Sequence, residues 1–596
     1  MKIAENKTLC AVIVFFAAFL GYANSVTSTF HWEDEYLVRD NVHIRRLSNI
    51  PDFFRPGYVN VYEAGAGSRY RPLRTVTLAL DYALWKEDPR GYHLTNVLLN
   101  AAAAAAFWFF CLSLTGSGTF SLLAGLLFAL HPAHAESVAW VKNRSDILCA
   151  LFCFASAGLF VLYRRNSRVL FLWLSAAAAV PAFMAKEMAL TLPFMLALAL
   201  VYGNLESGRD WEDGWPGLLP AFSLLAAYFI FRQLVMAGGA FGGSASGPSL
   251  PLMAAAAGEY LKTLLWPVFL SIDRPLPAAG AAWPQYAFAA VFLAGAPALW
   301  FSGRRRGALW LLLFWVLYVP VSNLVPIEGR PFAEQRLYLP SAAFCAFIAW
   351  GLTELPPAGR LARLAPALAL LLAGLWGVRG FYRNLDWHSE SGLWQETVRV
   401  SPSARAYNNL GVTLLREKRY QEAIASAQES LRLDPAYVDA YNTLGAGYYD
   451  LGLYDRSLAA FEKAVYFSDG RAYKSLMNLA TIYSLKGREK DAVGLYAAVI
   501  RTAPWMDAAY YNMGMALNRL GRKEEALRAF GEAVALNPYN ARAYQMLGGL
   551  FAERKDYKSA ELAYRDLLKV EPANPFAAKF LLLNTGQSID KSTGRP

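Results

Sequence analysis

Eleven apolar runs, each near the length a bilayer demands, fill the chain from about residue 9 to residue 381. They cover about 9–29, 94–114, 119–135, 146–163, 169–185, 188–203, 216–236, 285–302, 308–325, 337–354 and 364–381. A helix needs about 20 apolar residues to cross, fewer when it is tilted or sheltered by neighbours. The expected fold class is therefore all-α, with a polytopic membrane domain over residues 1–385. After that the apolar excess stops and the chain reads as soluble protein. Over the whole chain 56% of residues are hydrophobic and 17% charged, where globular proteins are nearer a quarter charged. Lys2 and Lys7 precede the first run. It resembles a signal peptide but lacks a small-residue cleavage site, so it reads as an uncleaved first span.

Charge sets the orientation. The net charge of +11 is gathered in short clusters, Arg164, Arg165 and Arg168, then Arg304–Arg306, then Arg360 and Arg363. That is the pattern of cytoplasmic loops, not of a nucleic-acid stripe. With a cytoplasmic N-terminus, eleven spans put all three clusters inside, together with the polar loop 204–214. The stretch 254–275 carries Glu259, Lys262 and Pro267. If it crossed, Arg304–Arg306 would move outside, so it is expected to be re-entrant or interfacial. Parity then places outside the loop 30–92, the loop near 131–146, the turn Lys186–Glu187, the Gly- and Ser-rich loop 237–249, and everything after 381. The five cysteines, Cys10, Cys111, Cys149, Cys153 and Cys345, all lie in apolar stretches. They suggest packing residues and no disulfide framework.

The soluble part repeats over 404–573. Tyr407 and Tyr441 are 34 residues apart, as are Gly411 and Gly445, Gly514 and Gly548, Pro504 and Pro538, and Pro538 and Pro572. A small residue recurs early in each unit, a second follows twelve positions later, and an aromatic follows four after that in most copies (Phe461, Tyr496, Phe530, Tyr564). The small residues let the helices of a hairpin approach, and the aromatic is expected to fill the gap between hairpins. This looks like five tetratricopeptide repeats. Residues 386–403 read as a connecting or capping helix and 574–596 as a tail. Such a solenoid has a concave groove suited to peptide. Asn409, Asn478 and Asn512 share one first-helix position and are candidates to hold a peptide backbone there.

The outer loops hold the polar residues that need explaining. FHWEDEYLVRDN, at 30–41, crowds Glu33, Asp34, Glu35 and Asp40 beside the end of the first run. RYRPLRT, HPAHAESVAWVKNRSD, AKE and PIEGRPFAEQRLYLP bring Arg, Lys and carboxylates to the same side. Each alone would pass as a solvated loop end; all four on one face point to a site. His131, His134 and Glu136 have the spacing of one helix face, but Pro132 interrupts it and no further metal ligand is evident. No P-loop, dinucleotide fingerprint or nucleophile elbow is present.

The order of these motifs, an acidic pair after the first span, YRPL, HPxHxES, NRSD, KE, AEQRLYLP and then tetratricopeptide repeats, resembles one family over about residues 30–573. It is the family of transmembrane and tetratricopeptide repeat-containing O-mannosyltransferases and their bacterial relatives. The resemblance implies a membrane glycosyltransferase of the GT-C fold. Such enzymes move a sugar from a polyprenyl phosphate to a hydroxyl of a secreted protein, on the periplasmic or lumenal side. An acidic residue of the first outer loop serves as base. The family usually shows two Asp where this chain has Glu33 and Asp34. Asp34 keeps the family's residue type and is favoured, with Glu33 as its rival.

The residue chemistry agrees. A hydroxyl attacking an anomeric carbon needs a base within about 3 Å. A carboxylate at a low-dielectric boundary is made more basic. The departing lipid phosphate needs cations, for which Arg71, Arg144, Lys186 and Arg336 are the candidates. Glu136, Asp146, Glu187 and His134 are candidates to orient those cations or bind sugar hydroxyls. No cofactor is called for beyond the lipid-linked sugar, and a divalent cation stays open. Two other readings compete: a non-enzymatic membrane scaffold that recruits partners through its repeats, and a transferase acting on glycan instead of protein. The scaffold gives no reason for cations in four outer loops.

Overall fold

In the computed structural model of the protein, residues 5–55, 70–210, 213–235, 249–277, 281–324, 330–354, 360–469 and 472–585 are described. Among them there are helices and turns and no strand. The chain divides into two compact units, Met1–Pro402 and Ser403–Pro596.

Every apolar run forms helix, but fewer than eleven are long enough to cross. Eight described helices meet the length and composition of a span, from Lys7–Thr27 to Leu364–Asp386. A ninth is reached if Gly118–Ala129 and Pro132–Ala139, bent by 49°, are one span. The break falls at His131–Pro132, where proline has no N–H to continue the ladder. The runs at 169–185 and 308–325 give shorter helices, Val169–Ala185 of 17 residues and Arg305–Tyr318 of 14. The stretch 254–275 contains one 16-residue helix, Leu250–Leu265, followed by irregular chain. Gly258 of that helix lies against the Gln285 backbone, where a Cβ would come within 2.0 Å of the carbonyl oxygen. Only glycine admits that crossing. The loop 237–248 and residues 325–329 lie outside the described residues.

The helices sort charge to their two ends. Arg144–Asn166 is 23 residues, about 34 Å at 1.5 Å per residue. It begins beside Asp146 and ends at Arg164 and Arg165. At the second end Arg306 pairs with Glu206 at 2.5 Å and Glu354 at 3.1 Å. Two clefts of about 270 and 450 Å³ open there, lined respectively by Arg164, Arg165 and Arg209 and by Arg304–Arg306. The motifs quoted from the outer loops all gather at the first end.

The second unit is five helical hairpins, from Ala404–Arg416 with Tyr420–Leu433 to Ala541–Glu553 with Tyr557–Val570. The aromatic fills the gap to the next hairpin as expected, Phe461 packing with Leu479 and Ile482 and Phe530 with Leu547, and it also packs inside its own. A Cβ on Gly445 would meet the Phe461 ring at 2.7 Å, and one on Gly548 would meet Tyr564 at 2.7 Å. Gly548→Val should therefore destabilise the last hairpin by about 1–3 kcal/mol, as overpacking does. Faster hydrogen exchange over 541–570 is the check; unchanged protection would refute the steric account. The Glu390–Val400 helix, expected as a connector or cap for the repeats, belongs to the first unit. The tail begins as a helix, Pro575–Thr585, with the Phe580 ring tilted against Tyr564 at 4.7 Å.

Candidate active site

Residues 140–146 organise the charged end of the bundle, because successive side chains reach different loops. Lys142 meets the acid pair: its backbone N–H donates to Asp34 Oδ1 at 2.8 Å, and its ammonium pairs with Glu33. Asn143 donates to the Glu136 carbonyl at 3.2 Å and to Gln335 at 2.9 Å. Arg144 turns inward to Asp81 at 2.6 Å, with its Nε on Asn96. Asp146 holds Lys186 at 2.5 Å. Thus this stretch joins three of the other quoted outer motifs, the acid pair, AKE and AEQRLYLP.

The acid pair is split in character. Asp34 is fully buried, and its other oxygen accepts the His31 N–H at 3.2 Å. The Glu33 side chain is 41% exposed. Burial pushes the Asp34 carboxyl up to about 7, against the lowering pull of its two backbone hydrogen bonds. The local backbone is unusual on both sides. Trp32 has φ +39°, an outlier for a bulky residue. Glu35–Arg39 forms a single π turn, closed by Asp40 N–H to the Glu35 carbonyl at 3.0 Å. Strained φ and π turns concentrate at functional sites.

Four carboxylate–cation sets surround the pair. Arg71 binds Glu187 at 2.9 Å, and Arg232 binds the same carboxylate at 3.3 Å. Lys186 sits with Asp146, near enough to Arg71 to feel its charge; burial lowers the Lys186 ammonium and Asp146 opposes that. Glu136 takes Arg330 at 2.8 Å and the Gln335 N–H at 3.1 Å. Arg383 faces Glu334 at 3.6 Å. Asp146 and Glu187 thus each hold one of the expected cations, Lys186 and Arg71, whereas Glu136 holds Arg330, which was not among them. Arg336 donates to the Pro331 carbonyl at 2.9 Å, and no carboxylate pairs with it among the described residues.

Two expected site residues are withdrawn. Arg144 is fully buried in its contacts with Asp81, Asn96 and the Tyr92 carbonyl, so it braces helices instead of meeting a phosphate. His134 is also fully buried, donating to Ser341 at 2.7 Å between the rings of Phe128 and Tyr338. Neither reaches the surface in this structure. His131 has both ring nitrogens engaged, by the Ala133 N–H at 3.2 Å and the Leu264 carbonyl at 3.1 Å.

Five residues of these sets escaped the sequence reading: Lys142, Arg232, Arg330, Glu334 and Arg383. Lys142 and Arg330 lie inside motifs already singled out, but nothing in their spacing marks them above their neighbours. Arg232 did carry a signal, as the lone charge inside an apolar run. In the repeats, Asn409, Asn478 and Asn512 are half-buried. The neighbouring position does different work: Asn408 accepts from Thr443 at 2.7 Å, and Asn442 donates to Ser475 at 2.9 Å, tying successive repeats.

Family models described as tetratricopeptide repeat match residues 404–437, 442–505, 508–540 and 541–574. Over almost its whole length the chain is similar to curated proteins. It is 23% identical to protein O-mannosyl-transferase TMTC3 of Homo sapiens, across 93% of this chain and 67% of that protein. It is 26% identical to protein O-mannosyl-transferase Tmtc1 of Drosophila melanogaster, across 97% and 81%. It is 27% identical to protein O-mannosyl-transferase TMTC4 of Mus musculus, across 69% and 65%. The chain thus spans about two thirds to four fifths of these relatives' lengths.

Proposed function

The chain belongs to the family of transmembrane and tetratricopeptide repeat-containing O-mannosyltransferases, and from that premise we propose that it transfers a sugar from a polyprenyl phosphate to Ser or Thr hydroxyls of secreted proteins. The sugar is mannose or another hexose. The charged end of the bundle faces the periplasm, or the lumen in a eukaryotic cell, and the repeats lie on that side and present the acceptor. The observation that carries this reading is the acid pair locked to Lys142 at the one end of the bundle where Arg71, Lys186, Arg232 and Arg330 also gather.

The steps follow from charge. Asp34 takes the proton of the acceptor hydroxyl, whose oxygen attacks the anomeric carbon. The bond from that carbon to the phosphate oxygen breaks, and the lipid phosphate leaves with the electron pair. Arg71, Lys186, Arg232 and Arg336 stabilise the charge that grows there, since preorganised donors act most strongly where water is excluded. Glu187 and Asp146 keep those cations from drifting. Asp34 has no exposed surface in this structure, so acceptor binding has to uncover it. The half-buried Asn409, Asn478 and Asn512 line the acceptor groove of the repeats.

Intact-mass analysis of secreted proteins from cells with and without the gene tests the reading. Loss of a hexose-sized increment is expected; identical masses would reject it. Within the site, Arg232→Leu should raise the donor KM about 10–100-fold, the scale of a charged hydrogen bond at about 1.5–3 kcal/mol, and leave the acceptor KM unchanged. An unchanged donor KM in purified enzyme would take Arg232 out of the phosphate site.

A further inference from the structure

The strained residue beside the acid pair is gripped by tryptophans from elsewhere in the chain. The Trp32 ring lies 5.0 Å from Trp140, 6.4 Å from Trp387 and 5.4 Å from Trp394, each edge to face. Trp140, Trp387 and Trp394 are 5%, 0% and 5% exposed. Trp387 also reaches the residue on the other side of Trp32, since His31 Nε2 donates to the Trp387 carbonyl at 2.8 Å. The next residue, His388, donates from Nε2 to the Asn24 carbonyl at 3.0 Å, with the Thr27 hydroxyl 3.2 Å from the same nitrogen, pinning the start of the same loop. Trp387 and Trp394 come after the last span, from a segment with no motif of its own. A φ of +39° at tryptophan persists only where its surroundings over-determine it, and this cage is what surrounds it.

We propose that Trp387 and Trp394 are positioning residues, which clamp Trp32 and thereby hold the Glu33–Asp34 loop in the closed form that keeps Asp34 dry. The clamp makes the stretch following the last span part of the active site. That stretch runs directly into the first repeat, Ala404–Arg416, so movement of chain at 387–400 is the route by which the acid pair would be uncovered. The functional consequence rests on the reading of Asp34 as base; the clamp itself does not.

The groups facing Asp34 are Glu33 on its own loop and Lys142 from the 141–143 turn, with His31 beside it. Burial pulls the His31 imidazole down to about 4, so it stays neutral through the range tested. His93 and His388 lie behind His31. With the clamp open, water reaches Asp34 and its carboxyl falls back toward the ordinary range.

Labelling with a water-soluble carbodiimide and an amine, read by peptide mass spectrometry on the full-length protein in detergent, tests this directly. In the wild type Glu33 is labelled and Asp34 is not. In Trp394→Ala, Asp34 becomes labelled, and Trp394→Phe restores most of the protection. The acidic limb of the pH–rate profile moves to lower pH in Trp394→Ala, a change that mere loss of folded enzyme would not produce. The rate itself falls about 10²-fold, the cost of misplacing a reacting group by about 1 Å. Trp387→Phe serves if the alanine variant does not fold. A folded variant in which Asp34 stays unlabelled overturns the clamp. Labelling of Asp34 with an unmoved acidic limb upholds the clamp and rejects Asp34 as base instead.

Discussion

Asp34→Asn should lower the transfer rate by ~10²–10⁴-fold, the range typical of losing a general base, while donor binding stays close to wild type. The substitution keeps the size of the side chain and removes its charge. In the proposed mechanism donor binding survives, because the cations assigned to the phosphate do not touch Asp34. The structural cost is small: Asp34 accepts one N–H on each oxygen, and the amide can accept only one of them. One lost hydrogen bond costs about 1 kcal/mol, well short of unfolding the protein.

The pH dependence gives the same residue a second test. A base has to be ionised, so wild-type activity should climb as pH rises through about 7, where burial has placed the Asp34 carboxyl. Stability runs the other way. A carboxyl raised in the folded state contributes stability below the unfolded carboxylate range, and that contribution is lost as pH rises through about 7. Asp34→Asn should remove both effects together. Glu33→Gln is the control, because it frees Lys142 without touching the buried oxygen pair. If Asp34→Asn transfers at wild-type rate and Glu33→Gln is dead, the base is Glu33, the more exposed of the two.

Much of the architecture was open to a reader of the sequence, and the reason is local. Apolar runs and a 34-residue period are properties of neighbouring residues, so helices and hairpins could be placed before any contact was known. That the outer motifs share one side was also readable, since it follows from counting crossings, but that they meet was not. Pairing was not. Arg144 and Lys186 look alike in sequence, each a cation beside a quoted acidic residue. One is fully buried against Asp81 and the other, 11% exposed, pairs with the buried Asp146. Burial depends on partners dozens of residues away, which no spacing records. Trp387 and Trp394 were invisible for a related cause. They follow the last apolar run, where a connector was expected, and their task is set by a contact with Trp32 more than 350 positions earlier. Helix ends were hidden for a simpler reason: apolar composition at 169–185 and 308–325 does not fix where helix begins and ends.

Arg144→Met should cost stability, about 3–5 kcal/mol, and not donor affinity. Arg144 and Asp81 are 0% and 5% exposed at the side chain. Removing one partner of a buried ion pair leaves the other charge stranded, a penalty of about 3–5 kcal/mol. Among the described residues Asp81 would keep only the Thr95 hydroxyl at 2.7 Å. Three helices lose their common tie, because Asp81 lies on Pro72–Trp85, Asn96 on Pro89–Thr115 and Arg144 on Arg144–Asn166. The expected phenotype is a low yield and an early melt, with whatever folded enzyme remains binding donor normally. Asp81→Leu combined with Arg144→Met should recover much of the loss, since apolar replacement of a whole buried pair is often neutral or stabilising. Lys186→Met is the contrast, expected to weaken donor binding in a protein that still folds. The opposite result, Arg144→Met melting like wild type with donor binding lost, would return Arg144 to the phosphate site and would mean that the helices around it part when donor arrives.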